Sequence, residues 1–522
     1  MRRVDLINAQ VWCGHGPSPE LCVACFDHGR LQELRPAHTP ARAGSVVIDA
    51  GGRVVTPGLV DAHMHLLLGG QTLQHLDLSG VRSRAAFEAE IEAAHAAMEP
   101  SQWLLASGWS ECQWADQQRP DRTWLAPAST RPVVCWRCDW HAAVVNDAVL
   151  GLMDLPDDAV VLAAGGQVGR DAEGSRDGYL AEAAAWRWLQ PVIPRPDGAQ
   201  QRAAANAAIE HLLALGITAV RTMEYRSDIL ETFVPLAEDC PLRLSLVQLD
   251  RDLPLDLTWH EQLPSHDRFR LTGCKSFFDG TLGSRTARLR QDYQDQDGWR
   301  GSWLEHALHD QEVQWCRQVL DNGLSPVIHA IGDEAVGRAA SLLADVPEDL
   351  RGTLEHAEVV SPADLQQLGG LRLSVQPTHR AVDAGMANAR LGEARSSWVL
   401  PLASLQSSGA RLSFGTDWPV VPADPMATLR AAITGHDVNG VPFHDGQQIS
   451  VQEAWRAATC DASEAAGLPV AMQVGGPGDF VIWNGDPLLD LDQACVHSTW
   501  VDARCVSGED LLNGHSLGAS NS

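Results

Sequence analysis

The middle of the chain alternates short strand-like runs with longer helix-like runs, and this alternation limits the folds that are open to it. Helical patterns are predicted, for example, at 200–215, 308–322 and 334–344, and Gly216 and Gly323 stand where a glycine commonly ends a helix. Strands that alternate with helices form parallel sheets, so we predict an α/β fold, a (β/α)8 barrel of the TIM type. The predicted barrel strands are 54–65, 217–223, 242–249, 269–278, 325–331, 352–358, 371–376 and 411–416.

The two ends of the chain follow a different pattern, with short strands bounded by turn residues. Such strands are predicted at 4–12, 21–26 and 45–49 near the amino terminus, and at 478–485 and 494–501 near the carboxyl terminus. We therefore predict a small β-sandwich domain built from both termini, 1–56 together with 470–522. The barrel domain would then cover 57–469.

A stretch from about residue 66 to residue 200 interrupts the alternation, because it is too long for one strand-helix unit. A packed insertion with its own core explains part of this stretch. We also expect some of its aromatic rings to form a lid over the mouth of the barrel and to reach the substrate. Eight of the 18 tryptophans fall in it: Trp103, Trp109, Trp114, Trp124, Trp136, Trp140, Trp186 and Trp188.

Composition narrows the range of partners. The net charge is −28, which argues against nucleic acid and anionic membrane surfaces as partners. No run of about 18 apolar residues occurs, so no membrane span is expected. The amino terminus lacks a convincing export signal, because polar residues interrupt any apolar core, and we expect a cytoplasmic protein. A small molecule is the expected partner, and a homodimer is the commonest assembly for such proteins.

Lys275 is the only lysine in the chain, and it lies in an apolar run that reads as a buried strand. Arginine stays protonated at any ordinary pH, whereas a desolvated lysine can lose its proton. The neutral amine can attack a carbonyl group, or it can capture carbon dioxide as a carbamate whose two oxygens can bridge two metals. Alternatively, Lys275 is a compositional accident in an arginine-rich chain.

Candidate metal ligands stand at the ends of several predicted strands. His63 and His65 are two residues apart on a strand, so their side chains point to the same side and can bind one ion. Four more candidates follow on later strands, namely Lys275, His329, His356 and Asp417. Active sites of such barrels lie at the carboxyl ends of the strands. Each residue alone could be a buried core residue, but together they predict a metal-dependent site.

The chain resembles the amidohydrolase superfamily, specifically its amidohydrolase-3 or YtcJ-like branch, which includes N-substituted formamide deformylases. The resemblance covers nearly the whole chain. The motifs that carry it are Pro57-Gly-Leu-Val-Asp-Ala-His-Met-His65, Ser107-Gly-Trp109, Gly216-Ile-Thr218, Lys275-Ser-Phe-Phe-Asp-Gly-Thr-Leu-Gly-Ser-Arg-Thr-Ala287, His329-Ala-Ile-Gly-Asp333, Glu355-His-Ala357, Ser374-Val-Gln-Pro-Thr-His379 and Phe414-Gly-Thr-Asp-Trp-Pro419.

The resemblance implies a centre of two divalent metal ions, with zinc the expected metal. It implies that His63 and His65 bind the first ion and that His329 and His356 bind the second. Lys275 would bridge both ions as its carbamate, and Asp417 would bind the first ion and the hydrolytic water. A single-metal site made by His63, His65, His329 and Asp417, with a structural Lys275, stays open.

Further residues are candidates for contact with the substrate. Arg285 could bind a carboxylate or polar oxygen of the substrate, or it could hold its own loop through a salt bridge. His379, which we place at the end of its strand, could bond the oxyanion, and His141 matches a family position near the site but could instead hold the insertion. Trp109 and Trp418 are candidate walls of the pocket.

These features predict a metal-dependent amidohydrolase that cleaves a C–N bond in an amide, N-formyl or cyclic amide compound. A metal-activated hydroxide would attack the carbonyl, and Asp417 would pass the proton to the departing amine. The aromatic insertion predicts an apolar or aromatic substrate. The same centre could hydrolyse an ester, carbamate or C–O bond, since fold and metal do not select the leaving group. A non-catalytic binding protein is the remaining alternative.

Overall fold

The computed structural model describes residues 3–250, 252–350, 352–443 and 445–508, and these residues form three sheets. One sheet is a barrel, one is built from both ends of the chain, and one belongs to the insertion. The predicted sandwich domain extended to residue 522, so its last residues, 509–522, lie outside the described part of the chain.

The barrel is an eight-stranded parallel sheet in which each strand pairs with the next one along the chain. Backbone hydrogen bonds close the ring at its carboxyl edge. The Asp417 N–H donates to the His63 carbonyl oxygen over 2.7 Å, and the His65 N–H donates to the Trp418 carbonyl oxygen over 2.9 Å. The predicted (β/α)8 barrel is confirmed. Barrel strands one to eight are, in chain order, Leu59–Met64, Ile217–Glu224, Arg243–Gln248, Phe269–Phe277, Ser325–Ala330, Thr353–His356, Arg372–Val375 and Arg411–Phe414.

Helices surround the barrel, and their ends carry the expected capping residues. The helix Gly198–Ala214 begins with a capping box, in which the side chains of Asp197 and Gln200 each accept a backbone N–H of the other residue. Gly216 and Gly323, at φ +83° and +68°, follow helices in the left-handed conformation that favours glycine, as predicted. The α-helices outside the insertion are Leu66–Thr72, Gly198–Ala214, Arg226–Asp228, Val234–Leu236, Glu305–Leu308, Glu312–Asp321, Asp333–Ala344, Leu365–Leu368, Pro377–Leu391, Glu393–Ser396, Leu402–Ser407, Pro425–Thr434, Val451–Ala457 and Cys460–Ala465, with 3-10 or π-helical turns at Ile229–Phe233, Thr258–Gln262 and Glu348–Leu350.

The predicted strand 54–65 is wrong as a single element, because the chain changes sheets in its middle. Pro57 lacks a backbone N–H, and the Gly58 N–H donates to the carbonyl oxygen of Asp479 in the terminal sheet over 3.0 Å. Gly58 also passes close to barrel strand two, where an added Cβ would lie 2.1 Å from Thr218 Oγ1. The segment is therefore divided into Val54–Pro57 of the terminal sheet and barrel strand one.

Both ends of the chain contribute to the terminal sheet, which has eight strands. Phe26 and Phe480 lie on strands that two others separate, about 14 Å apart in a flat sheet, yet their ring centroids are 5.4 Å apart. The sheet therefore folds over and encloses its own apolar core. Its strands are Val4–Val11, Glu20–Asp27, Arg30–Pro36, Val46–Asp49, Val54–Pro57, Phe480–Asn484, Cys495–Val501 and Arg504–Gly508.

A buried ion pair joins the terminal sheet to the barrel. Arg243 begins barrel strand three, and its Nη2 donates to Asp479 Oδ1 over 2.9 Å. The same oxygen accepts the backbone N–H of Asp502 over 2.9 Å. Arg243 and Asp479 are both 2% exposed, so each charge depends on the other for compensation.

The insertion forms a six-stranded sheet of its own. Apolar clusters pack on both of its faces, and tryptophans occur in each cluster. Its strands are Leu76–Asp77, Leu104–Trp109, Val133–Arg137, Ala142–Val145, Gln167–Arg170 and Arg176–Ala181. Its helices and helical turns are Arg84–Ala97, Glu111–Gln113, Arg122–Ala128, Asp147–Leu150, Asp158–Ala163, Ala184–Leu189 and Gln190–Val192. Within the described ranges, no helix of the chain has the length and apolar character needed to cross a bilayer.

Candidate metal centre

The carboxyl edge of the barrel brings the six predicted ligands together. His63 Nε2 lies 3.3 Å from Lys275 Nζ and 3.3 Å from Asp417 Oδ1, and His65 Nε2 lies 3.4 Å from the same Asp417 oxygen. The ring centroid of His356 is 4.8 Å from that of His63 and 4.4 Å from that of His329. Parallel strands cause this convergence, since all of them end at one edge of the barrel.

Three of the histidines are held by one ring nitrogen, which leaves the other nitrogen for a ligand. His63 Nδ1 bonds the buried carboxylate of Glu355, and His356 Nδ1 lies 2.8 Å from Gln376 Oε1. His329 Nε2 lies 3.2 Å from the carbonyl oxygen of Gly280. A ring nitrogen that donates to an oxygen fixes the tautomer, so the opposite nitrogen carries a lone pair, as metal-binding histidines require.

Asp417 has an oxygen that the protein leaves without a donor. Its Oδ1 makes no hydrogen bond to any described residue, although the side chain is only 7% exposed. It faces His63 Nε2, which bears a lone pair in the neutral tautomer described above, and two electron-rich atoms at 3.3 Å call for a cation between or beside them. A proton on His63 or His65 can take the place of that cation, and with such protons these histidines hold the pKa of Asp417 well below its usual range, although burial opposes ionisation. Its φ of +59° is a strained backbone conformation typical of functional positions.

Lys275 is 1% exposed on barrel strand four. Burial lowers the pKa of its ammonium group to about 8, although Glu355 and Asp417 favour the charged form. A substantial neutral fraction is therefore present near neutral pH, which reaction with carbon dioxide requires. The amine also lies over the ring of Phe277, with Nζ 5.1 Å from the ring centroid.

The donor set suits a divalent metal. Two groups of side chains each bring their ligand atoms within 4.8 Å of one another: His63, His65 and Asp417 form one, and His356, His379 and Asp417 form the other. The first group matches the predicted first ion. The second contains His379 in addition to the predicted His356, while His329 lies beside it. Imidazole nitrogens and one carboxylate are ligands that suit zinc and similar metals.

Two cavities open from this centre. The smaller cavity has a volume of about 120 Å³, and His63, His65 and Lys275 line it together with aromatic side chains. Those aromatic side chains are Trp136, Trp140, Trp186, Tyr225 and Phe277. Three of the eight tryptophans of the insertion therefore reach the site. The cavity provides an apolar surface next to the candidate metal ligands.

The larger cavity has a volume of about 490 Å³ and is lined by both polar and apolar side chains. His141, His329, His356 and Asp417 form its inner wall, so it is continuous with the metal centre. His141 lies over His329 with a centroid distance of 5.4 Å, and its Nδ1 is 2.9 Å from Glu182 Oε2. His141, which we predicted to lie near the site, thus contacts the candidate ligand His329 and is also anchored in the insertion.

The structure places the other predicted substrate contacts differently. Arg285 forms a salt bridge with Asp295, with Nη2 and Oδ2 2.9 Å apart, and it lines neither cavity. Trp109 is fully buried in the insertion, where its Nε1 donates to the carbonyl oxygen of Cys135 over 2.9 Å, so it is not a pocket wall. Trp418 packs in the barrel core beside Gly69, away from both lining sets.

His379 does line the larger cavity, but it lies in the first turn of the helix Pro377–Leu391 rather than at a strand end. Barrel strand seven ends at Val375, because Pro377 starts the helix at a position where its missing N–H has no cost. His379 Nε2 has no partner among the side chains and backbone groups that are described. That nitrogen is free to contact a ligand.

Several other residues at the site were not predicted as site residues. Glu355 anchors His63 and bonds Arg221 over 3.2 Å; burial opposes its ionisation, but His63 and Arg221 lower the pKa of Glu355 to about 2. Its place immediately before His356 is the signal that could have found it. Glu358 and Asp383 also line the larger cavity and share a hydrogen bond, and no sequence spacing links them.

Comparison with known proteins agrees with this geometry. The model of a family described as "Amidohydrolase family" matches residues 46–507. The chain is 29% identical over 475 residues to Protein LONG AFTER FAR-RED 3 of Arabidopsis thaliana, covering 84% of this chain and 79% of that protein. It is 27% identical over 499 residues to YtcJ of Bacillus subtilis (strain 168), which carries an amidohydrolase name, covering 88% and 89% of the two chains. It is 22% identical over 556 residues to N-substituted formamide deformylase of Arthrobacter pascens, covering 96% and 98%.

Solved structures show the same fold. The crystal structure of an uncharacterized metal-dependent hydrolase from Pyrococcus horikoshii OT3 superposes with a TM-score of 0.75 at 23% identity, covering 94% of this chain and 99% of that one. A metal-dependent hydrolase from Pyrococcus furiosus gives a TM-score of 0.72 at 25% identity, with 93% and 100% covered. The family match spans the barrel, the insertion and five of the eight strands of the terminal sheet. The chain is thus a member of the amidohydrolase family, in the branch that contains YtcJ.

Proposed function

We propose that this protein hydrolyses a C–N bond in a small amide, N-formyl or cyclic amide compound that carries an apolar or aromatic group. The observation that carries the proposal is the convergence of free histidine nitrogens and the unpartnered Asp417 oxygen on one point at the barrel edge. The similarity to an N-substituted formamide deformylase supports cleavage of a C–N bond. The aromatic wall of the smaller cavity supports an apolar group beside that bond.

The metal content is part of the proposal. His63, His65 and Asp417 would hold one divalent ion, and His329 and His356 would hold a second, with the carbamate of Lys275 between them. Zinc fits this donor set. With divalent ions bound, the pKa of a coordinated water falls from ~15.7 to about 7, which supplies hydroxide at neutral pH. A site with one ion and an unmodified Lys275 is the alternative.

The side chains of this protein would perform the remaining steps. Asp417 accepts the proton of the attacking water, because its Oδ1 has no other donor, and releases that proton to the departing nitrogen. His379 Nε2 faces the larger cavity and can donate to the carbonyl oxygen as charge develops on it. The rings of Trp136 and Trp186 exclude water from the apolar side. The cytoplasmic location and the homodimer stay predictions from the sequence.

Metal analysis of the purified protein and its Lys275→Ala variant tests this proposal. We expect two ions per chain in the wild type and hydrolysis of N-benzylformamide or related aromatic amides, each compared with its ester. We expect Lys275→Ala to lose activity and to regain part of it with short carboxylic acids, which replace the carbamate oxygens. Lys275→Arg is the matched control, because it keeps a cation that cannot form the carbamate and leaves no space for an acid.

Two results would contradict the proposal in different ways. One ion per chain, with ion and activity retained in Lys275→Ala, would leave the one-metal alternative. Preferential cleavage of the esters would move the activity from C–N to C–O bonds.

A further inference from the structure

The larger cavity contains a buried carboxyl pair that the proposed chemistry does not use. Glu358 follows barrel strand six, and Asp383 lies on the helix Pro377–Leu391 that follows barrel strand seven. Both side chains line the cavity and are hydrogen-bonded to each other. Glu358 is only 4% exposed, and its Oε1 has no partner in the described part of the chain. A buried acceptor without a donor is rare in proteins and calls for an explanation.

The surroundings of Glu358 increase this need for a donor. The charged groups that act on it are Asp383 and Asp279, and both are acids. Arginine and histidine side chains also line this cavity, but none is among the groups that act on Glu358. Arg137 pairs with Glu111 and Asp139, and Arg82 donates to the backbone carbonyl oxygens of Ser79 and Val81. His379 acts on Asp383, as Arg137 does. The hydrogen bond between the two carboxyl groups requires one shared proton, so the pair carries one negative charge. A buried charge that has no cation in direct contact is costly unless a ligand supplies one.

Other acids of the same cavity differ in this respect. Asp437 also lines the cavity, but its Oδ1 accepts the backbone N–H groups of Asn439 and Val441, each over 2.8 Å. Asp139 pairs with Arg137 and accepts the hydroxyl of Thr281 over 2.8 Å. Their oxygens have structural partners. The open acceptor of Glu358 is therefore not a general property of an acidic wall.

We propose that Glu358 and Asp383 form a subsite that binds a cationic nitrogen of the substrate, a primary ammonium group, through the free Glu358 oxygen. This inference rests on the proposed function, because it names the substrate class of the same centre. The substrate would have two different ends on either side of the scissile bond. An aromatic or apolar group would occupy the smaller cavity, and an alkyl chain ending in an ammonium group would occupy the larger one.

Alternative ligand chemistries fit the wall less well. A carboxylate placed here would lie against Glu358 and Asp383, and repulsion between like charges would disfavour it. A methyl group would leave the Glu358 oxygen unsatisfied. An ammonium group donates up to three hydrogen bonds and brings a positive charge into direct contact with the Glu358 oxygen.

Ketones that cannot be hydrolysed test the subsite without requiring turnover. In each ketone a methylene replaces the amide nitrogen, one end carries a phenyl group, and the other end carries an ammonium, methyl or carboxylate group on alkyl chains of several lengths. Calorimetry with the metal-loaded protein measures their binding. We expect the ammonium ketone of the best length to bind about 10- to 100-fold more tightly than its methyl analogue, the range for a hydrogen bond to a charged group, and the carboxylate ketone to bind most weakly.

Variants assign the effect to the carboxyl pair. Glu358→Gln keeps the shape but removes the charge, so we expect it to lose most of the preference for the ammonium ketone while binding of the methyl ketone stays the same. Asp437→Asn is the matched control in the same cavity, and we expect it to change neither ligand by more than about threefold. If Glu358→Gln does not fold, Asp383→Asn and the wild-type preference among the three ketones still decide the question.

The outcomes separate this inference from the proposed function. Equal binding of the ammonium and methyl ketones by the wild type, or tightest binding of the carboxylate ketone, would overturn the subsite even if amides are cleaved. An unchanged preference in Glu358→Gln would also overturn it. A preference that Glu358→Gln removes would support the subsite even if no amide in the panel is hydrolysed, which would contradict only the proposed reaction.

Discussion

Asp479 and Asp417 are both buried aspartates next to barrel strands, but the protein treats their charges in opposite ways. Asp479, where the terminal sheet meets the barrel, accepts donors from Arg243 and from the backbone of Asp502. Asp417, at the carboxyl edge of the barrel, keeps Oδ1 without a donor and faces histidine nitrogens. The charge of Asp479 is thus paired within the protein, whereas we propose that a metal ion pairs the charge of Asp417. Three substitutions test how far this contrast holds.

The largest effect is expected from Asp417→Asn. The amide is a weak metal ligand and cannot accept the proton of the attacking water, so we expect kcat/KM to fall by about 10³-fold or more. The metal content should fall as well, while the thermal midpoint of the metal-free protein stays close to that of the metal-free wild type. Metal analysis and melting curves check both statements. Retention of metal and activity by the variant would remove Asp417 from the centre.

Asp479→Asn should show the reverse pattern. It leaves the buried guanidinium of Arg243 with less compensation, so we expect the free energy of unfolding to fall by about 3 kcal/mol. The folded variant should keep its metals. The matched control is Asp492→Asn, which removes an exposed pair with Arg430 and should cost less than about 1 kcal/mol. If the two variants lower stability equally, the ion pair at the joint has no special role.

Glu224 extends the comparison to a buried carboxyl that has hydrogen bonds but no cation. Its side chain accepts Thr222 Oγ1 over 2.6 Å and the Leu67 N–H over 3.1 Å, and burial raises its pKa from 4.5 to about 8. The pKa of Glu224 is higher in the folded protein than in the unfolded chain, so the folded protein holds a proton that the unfolded chain releases. The resulting contribution to the free energy of unfolding is fully present below pH ~4.5 and is lost as the pH rises towards 8.

The measurement for Glu224 is stability against pH in the wild type and in Glu224→Gln, which cannot titrate. Between pH ~5 and ~8 we expect the wild type to lose up to about 1.4 kcal/mol per pH unit more than the variant. Groups that titrate in both proteins cancel in the difference. Parallel curves would mean that Glu224 is ionised in the fold.

The clustering of the candidate metal ligands could be predicted from the sequence, because in a parallel barrel the carboxyl ends of all strands lie at one edge. His63 ends the first strand and Asp417 follows the eighth, so both had to lie at one edge. The division at Gly58 was missed, because the apolar run on either side of it reads as one strand. Pro57 could have indicated this division, because proline has no backbone N–H to donate to a neighbouring strand.

The substrate contacts were harder to predict, because they depend on how separate elements pack. Arg285 and Trp109 are residue types that pockets use, but Asp295 and the backbone of Cys135 satisfy them locally. Glu358 and Asp383 meet only because the segment after barrel strand six and the helix after barrel strand seven line one cavity, and no spacing in the chain encodes that contact. Residue type predicts what a side chain can do, but its neighbours decide which option it uses.

The seam of the barrel has a consequence for how this protein is made. The hydrogen bonds between His63 and Asp417 and between His65 and Trp418 join the start of the ring to its end, and the candidate metal ligands stand on both sides of that seam. A growing chain therefore cannot assemble the centre until its last barrel strand has been synthesised and has returned to the first, a long-range closure that is intrinsically slow. Metal binding would then stabilise the barrel only after the ring has closed, and the time course of metal uptake during refolding would report when closure occurs.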